Sequence, residues 1–242
     1  MRLGFLKNGK NAAKRFSPRR RRLCPAARKA TPAAMQLRAP AILIAARTHG
    51  ETAIIARLLT EEYGVVACYV AGGRGRRLRP VAIPGNSVEL QLSARSASQL
   101  PFGKLELVES RAPFLSEPLA AGAIGWACAL TATALPERQA HPPLYQALDG
   151  LLTAICHAPS ARGWAAALVA YETLLLRELG YGASHVVEGE RPQGDMPQIL
   201  AAMDRLAPAL DHYLLADRRG DVMAARLRLR ELLGRIVGRI VE

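Results

Sequence analysis

The densest chemistry in the chain is Gly72-Gly73-Arg74-Gly75-Arg76-Arg77-Leu78-Arg79-Pro80, with four arginines and three glycines in nine residues. Guanidinium groups fork onto phosphate oxygens, and glycines let a backbone approach a ligand closely. The stretch reads as a mobile, positively charged loop gripping a sugar-phosphate chain, each neutralised phosphate releasing counterions. Nothing in it specifies an element that enters a groove, so salt-sensitive and largely sequence-independent contact is expected. Arg38, Arg47, Arg57, Lys104 and Arg111 are candidates to extend the patch. Tyr63, Tyr69 and Phe102 are the few aromatics offered for stacking on bases, although such residues are more often core. A solvated loop without a ligand is the competing reading.

Catalytic patterns are weaker. Cys156 and His157 are adjacent, so on a helix their side chains diverge by about 100°. His141 precedes Pro142-Pro143 and reads as a residue that opens a helix. His185, Glu188 and Glu190 share a polar loop but supply no full ligand set. Cys24, Cys68, Cys128 and Cys156 lie far apart, in no paired spacing, which points to neither zinc nor a disulfide framework. The glycine-arginine stretch lacks the lysine and hydroxyl of a nucleotide-binding loop. No catalytic residue, cofactor or metal is expected, and a reducing, cytoplasmic setting is the default.

The elements that must position these residues fall into two kinds. Residues 40–110 read as β. Apolar runs at 40–47, 52–60 and 65–70 end in turn signals, and 87–92 and 104–109 alternate apolar and polar. Thr52–Glu62 fits a helix on periodicity alone, but it is read here as a strand. About five strands suggest a small barrel or sandwich. From Pro118 the pattern is helical. Leu144, Leu148, Leu151, Leu152 and Ile155 follow three-and-four spacing; Gly180-Tyr181-Gly182 closes a helix that carries Trp164, Leu168 and Leu175. Helices at about 196–217 and 221–240 follow. The last sets Leu229, Leu233, Ile236, Val237 and Ile240 against Arg228, Arg235 and Arg239, a solvated face in preference to a binding stripe.

The 242 residues carry a formal charge of +13, but residues 1–34 hold 11 basic side chains and no acid, which leaves only +2 for the body. Such a segment cannot bury enough apolar surface to fold, so disorder is expected. It reads as a nucleic-acid arm, as an organelle transit peptide, or as an over-extended reading frame upstream of a true start at Met35, the last carrying most weight. No apolar run is long enough for a confident membrane span; Pro118–Pro136 comes nearest.

From Met35 onward the ordered motifs resemble the bacterial RecO family of DNA repair and recombination mediator proteins. Arg47-Thr-His-Gly-Glu51-Thr52, Leu58-Leu59-Thr60-Glu-Glu-Tyr-Gly64 and Val70-Ala71-Gly72-Gly73-Arg74 are similar to its first corner, second segment and basic-loop entrance. Pro84-Gly85-Asn86, Leu105–Glu109, Leu135-Pro136-Glu137-Arg138, His141–Tyr145 and Glu178–Gly182 continue the likeness. The resemblance implies an α+β chain: an OB-fold barrel over 35–113, then an all-α domain over 114–242. It further implies binding of single- and double-stranded DNA, strand annealing, contact with the tail of single-strand-binding protein, and loading of RecA with RecR and often RecF. A monomer associated with the nucleoid is expected. Arg74, Arg76, Arg77 and Arg79 occupy the family's basic loop, and Arg138 and Arg177 are the positions offered for the partner tail. Many members carry cysteines after the Gly-x-Gly corner, some binding zinc; Ala183–Gly194 has none, which argues against a metal. A protein-interaction adaptor with incidental DNA contact, or an RNA-binding barrel, are the other functional readings.

Overall fold

The computed structural model describes residues 35–94, 99–181, 195–216 and 222–241. The basic extension 1–34 and the polar loop 183–194 lie outside the described residues. Five strands come first: β1 (Met35–His49), β2 (Ala53–Thr60), β3 (Gly64–Val70), β4 (Ser87–Ala94) and β5 (Phe102–Glu109). They close into a barrel in the order β1-β2-β3-β5-β4. The parallel closure sets Tyr69 of β3 beside Phe102 of β5, and the other pairs are antiparallel. This is the five-stranded barrel that defines the OB-fold.

β1 is longer than its apolar run suggests. Residues 35–42 pair with β4, residues 41–49 pair with β2, and a bulge lies between Leu43 and Ala45. Leu43 fills the barrel interior while Ile42 and Ile44 join the core of the helical half. Both faces are buried there, so the sequence is a continuous apolar run without alternation. Thr52–Glu62 does contain a strand, β2, whose inward residues Ile54, Ala56 and Leu58 recur every second position.

A short 3-10 turn (Ala112–Ser116) leads into α1 (Pro118–Ala134), α2 (Pro142–His157), α3 (Ala161–Glu178), α4 (Met196–Ala209) and α5 (Val222–Val241). Prolines occupy the first turn of α1, α2 and α4, where a missing N–H leaves no bond unmade. The Ala-rich stretch near 118–136 is the central helix α1, with Ala123, Ile124, Trp126, Ala127 and Leu130 all buried. Among the described residues no helix is long and apolar enough to cross a membrane. The helix expected over 196–217 changes character after Pro208: Leu210–Leu215 is a π-type turn. Proline donates no N–H to the ladder and crowds the preceding turn, so a shift in winding follows it. At the end of α3, Gly180 N donates to Arg177 O and Tyr181 N to Leu176 O.

The helices are tied together by a buried ion pair that sequence patterning did not foresee. Arg226 of α5 donates to both carboxylate oxygens of Glu172 on α3, at 2.8 and 2.7 Å. It also donates to Met203 O of α4, and Trp126 Nε1 of α1 donates to Glu172 Oε1 at 2.8 Å. The Glu172 and Arg226 side chains are 0% and 1% exposed.

Ile42, Ile44, Leu59 and Val65 of the barrel share one core with the helices. Gly64 brings the helical half onto β3. Its φ is +66°, and a Cβ there would overlap the backbone of Gln139.

Candidate nucleic-acid interface

The basic loop leaves β3 at Val70 and returns to β4 at Ser87. Hydrogen bonds anchor it at several points. Arg74 N donates to Thr52 O and Gly75 N to Gly72 O, while Leu78 N and Arg79 N donate to Gly75 O. Val81 N and Ala82 N both donate to Leu78 O, and Leu78, Val81 and Ala82 pack on the barrel core. The loop is thus a wound, anchored segment. Arg74, Arg76, Arg77 and Arg79 stand exposed.

Two further contacts hold it. Arg74 Nη1 donates to Glu51 O at 2.9 Å and to Gly50 O at 3.4 Å, latching the loop to the β1–β2 corner. Buried Asn86 donates Nδ2 to Pro80 O at 2.9 Å and to Val81 O at 3.2 Å. Its Oδ1 accepts from Arg111 N at 2.8 Å, so one amide pins the far end of the loop to the end of β5. The sequence marks this residue only as part of a turn. Gly85 before it has φ +96°, and a Cβ there would meet Ile124 of α1 at 2.7 Å.

Beside the loop the barrel presents an aromatic ladder. The His49 and Tyr69 rings lie edge to face at 5.8 Å, and Tyr69 and Phe102 do the same at 5.4 Å. Arg47, Ile55, Tyr69 and Phe102 are register partners in one row across β1, β2, β3 and β5. Phe102 is 57% exposed. His49 carries no sequence signal as a stacking residue; the barrel's curvature alone brings it onto Tyr69. Thr48, Arg74 and Arg79 border a hollow of about 370 Å³ at the same mouth. Exposed guanidinium groups at the same end of the barrel as an aromatic row, with His49 and Phe102 exposed, can hold a strand's phosphates while its bases stack.

The remaining candidates divide. Arg47 is exposed on the ladder row, and Lys104 lies one outward step along β5 from Phe102. Arg38 is exposed but bound to Glu89, Nε to Oε1 at 2.7 Å. Arg57 turns toward Glu137 at 3.9 Å, and its Nε is buried without a partner. Arg111 does not belong to a surface patch. Its side chain is 0% exposed, donating to Gly85 O at 2.6 Å, Ser87 Oγ at 2.8 Å and Asp149 Oδ1 at 3.2 Å, with Glu109 also at 3.2 Å. It is a strut between barrel and α2, and no phosphate reaches it. Tyr63 is not brought to the ladder: it sits in the β2–β3 turn at the other end of the barrel, the length of β2 away, about 25 Å. There it lines a cavity of about 430 Å³ with Leu37, Leu100, Glu62, Glu137 and Arg138. Arg138 takes a positive φ of 61° and its N donates to Val65 O. Arg177 is exposed in the last turn of α3.

Cys156 is half-buried, while His157 is exposed and edge-on to Phe114 at 5.5 Å. Burial pushes the Cys68 and Cys128 thiols up to about 12. No group of three His, Cys, Asp or Glu side chains suited to a metal ion occurs among the described residues.

Comparison with known proteins agrees with this architecture. Residues 35–111 match the family model for the recombination protein O N-terminal domain, and residues 115–188 match that for its C-terminal domain. The DNA repair protein RecO of Phenylobacterium zucineum is 40% identical over 149 residues, 61% of this chain and 60% of that protein. The RecO protein of Rhodospirillum centenum is 43% identical over 143 residues, 59% of this chain and 56% of its own length. That of Caulobacter vibrioides is 41% identical over 143 residues, covering 59% and 58%. The matched stretch thus spans less than two thirds of these relatives. With both domains matched in order and the barrel preceding the helices, the chain belongs to the RecO family.

Proposed function

We propose that this chain acts in DNA repair and recombination by binding single- and double-stranded DNA through the barrel mouth and annealing complementary strands. In this reading it joins RecR, and RecF where present, in loading RecA onto strands coated by single-strand-binding protein. The observation that carries the proposal is the anchored loop. Four exposed arginines project from a segment fixed by Thr52, Glu51 and Asn86, and that segment leaves β3 just after Tyr69 of the aromatic row. Two polyanions approach each other only when their charge is neutralised, and a basic surface holding phosphates lowers that barrier without covalent chemistry. The partner tail is assigned to Arg138, which rims the 430 Å³ cavity at the far end of the barrel, and to Arg177, exposed in the last turn of α3.

The test is oligonucleotide binding across a salt series, with strand annealing measured in parallel. Replacing Arg74, Arg76, Arg77 and Arg79 together by Ala removes up to four phosphate contacts. The log–log salt slope on single strands then flattens by up to about 3, and annealing slows. A folded quadruple variant with unchanged slope would refute the site.

A further inference from the structure

Among the described residues the barrel closes through a single bridge. β3 pairs with β5 only at Tyr69 and Phe102, where Tyr69 N donates to Pro101 O at 2.8 Å. β3 ends at Val70, whereas β5 runs on to Glu109, and no described strand pairs with that side of it. Backbone groups of alternate residues turn the same way, so those of Leu105 and Leu107 face away from β4, as Pro101 O does. The side chains show the opening. Leu105 and Leu107 lie opposite buried Leu90 and Val88, yet Leu105 is 5% exposed and Leu107 42%. A bulge sets Val88 opposite Leu107 and Ser87 opposite Glu109, so Val108 between them has no partner on β4. At 67% exposed, Val108 is the most open large apolar side chain among the described residues.

The open stretch is framed by acid. Glu106 and Glu109 are exposed, and Glu89 lies directly opposite Glu106 on β4. Glu109 and Asp149 of α2 each come within 3.2 Å of Arg111 Nη2 and are about half exposed. Residues 105–109 include neither lysine nor proline, the residues that ordinarily blunt an unpaired edge. We propose that this edge of β5 docks an extended strand from a protein partner, one that alternates apolar and basic side chains. A strand laid beside β5 puts each side chain on the same face as the residue opposite. The position opposite Leu107 therefore takes an apolar side chain, which also covers Val108. The flanking positions, near Glu106 and Glu109, take lysine or arginine. The partner's backbone continues the ladder that β3 leaves unfinished. Nucleic acid is disfavoured here, because carboxylates facing each other at Glu89 and Glu106 repel a polyanion. Protein docking at this edge and phosphate binding at the arginine loop draw on opposite charges, and neither depends on the other.

The probe is a short labelled peptide alternating lysine and valine, its binding to the full chain read by fluorescence anisotropy. Controls are a glutamate–valine peptide and a lysine–valine peptide broken by a central proline. The chain's net charge of +13 opposes a basic peptide at long range, so binding reports a local site. The lysine–valine peptide is expected to bind about tenfold tighter than either control and to slow hydrogen exchange at the Leu107 amide. E106K and V108K, with folding checked by thermal melts, each weaken it about tenfold and leave oligonucleotide binding no weaker than wild type. Equal binding of all three peptides, or of none, would overturn the proposal. Binding that survives both substitutions, or that leaves the Leu107 amide unprotected, would do the same. Loss of oligonucleotide binding in E106K or V108K, with the peptide unaffected, would give the edge to nucleic acid instead.

Discussion

Asn86 offers the sharpest test of how the fold serves the loop, because it carries no charge and touches no solvent. Asn86→Ala deletes the bonds to Pro80 O and Val81 O and strands the N–H of buried Arg111. Pro80 is exposed and its carbonyl rehydrates; the other two groups stay buried. Each buried group left unpaired costs about 1–3 kcal/mol, giving about 2–6 kcal/mol in total. For a chain of this size that lowers Tm by about 10 °C. The second effect is on binding. A loop released at Pro80 must be re-ordered on DNA, and fixing even one residue costs about 1–2 kcal/mol, roughly tenfold in affinity. All four arginines remain, so the salt slope holds. Asn86→Asp keeps the acceptor for Arg111 N but turns a carboxylate toward two carbonyl oxygens, and destabilises at least as much. The assay pairs differential scanning calorimetry with anisotropy of a labelled single strand at several salt concentrations. An Asn86→Ala protein with wild-type Tm and affinity would refute the positioning argument. A changed slope would show that the loop works by losing contacts and not by losing order.

Three other outcomes follow from the same geometry. Glu172→Gln leaves Arg226 buried without its counter-charge and costs about 3–5 kcal/mol, whereas the double change Glu172→Leu with Arg226→Met recovers most of that in a urea melt; a double variant no better than the single would contradict it. Gly64→Ala forces a Cβ into the Gln139 backbone at a positive φ, so the β2–β3 corner separates from the helical half and Tm falls sharply; an unchanged melt would mean the contact is dispensable. Cys68 and Cys128 remain thiols in the folded chain until about pH 12 but ionise from about pH 9 when unfolded. Rising pH across that window therefore favours unfolding, and a thiol reagent at pH 8 modifies neither residue until denaturant is added; rapid native labelling of either would disprove their burial.

The strands were legible where one face is wet. β4 alternates buried and half-buried residues, and its boundaries are visible in Ser87-Val-Glu-Leu-Gln-Leu92. β1 was legible only in part, because its middle is buried on both sides and a bulge shifts its register between Leu43 and Ala45. The helical half was read from the spacing of leucines, but the break after Pro208 depends on winding that periodicity does not encode. At the interface, the density of arginine and glycine marked the loop, but not the hydrogen bonds that tie it to Thr52 and within itself. Arg111 and Arg47 look alike in sequence. What separates them is partners 24 to 38 positions away, and a linear reading does not see those. Tyr63 and Tyr69 are six residues apart in the chain but at opposite ends of β3, which is why one stacks on Phe102 and the other lines a different cavity.

The shared core has a consequence for anyone wishing to transplant the DNA-gripping half. Severing the chain after residue 113 would strip the cover from Ile42, Ile44, Leu59 and Val65 and leave the Arg111 guanidinium without Asp149. An oily saddle would then open beside an orphaned cation, and the excised piece would clump with its own copies before it met any oligonucleotide. The helices are, in that sense, the barrel's missing wall.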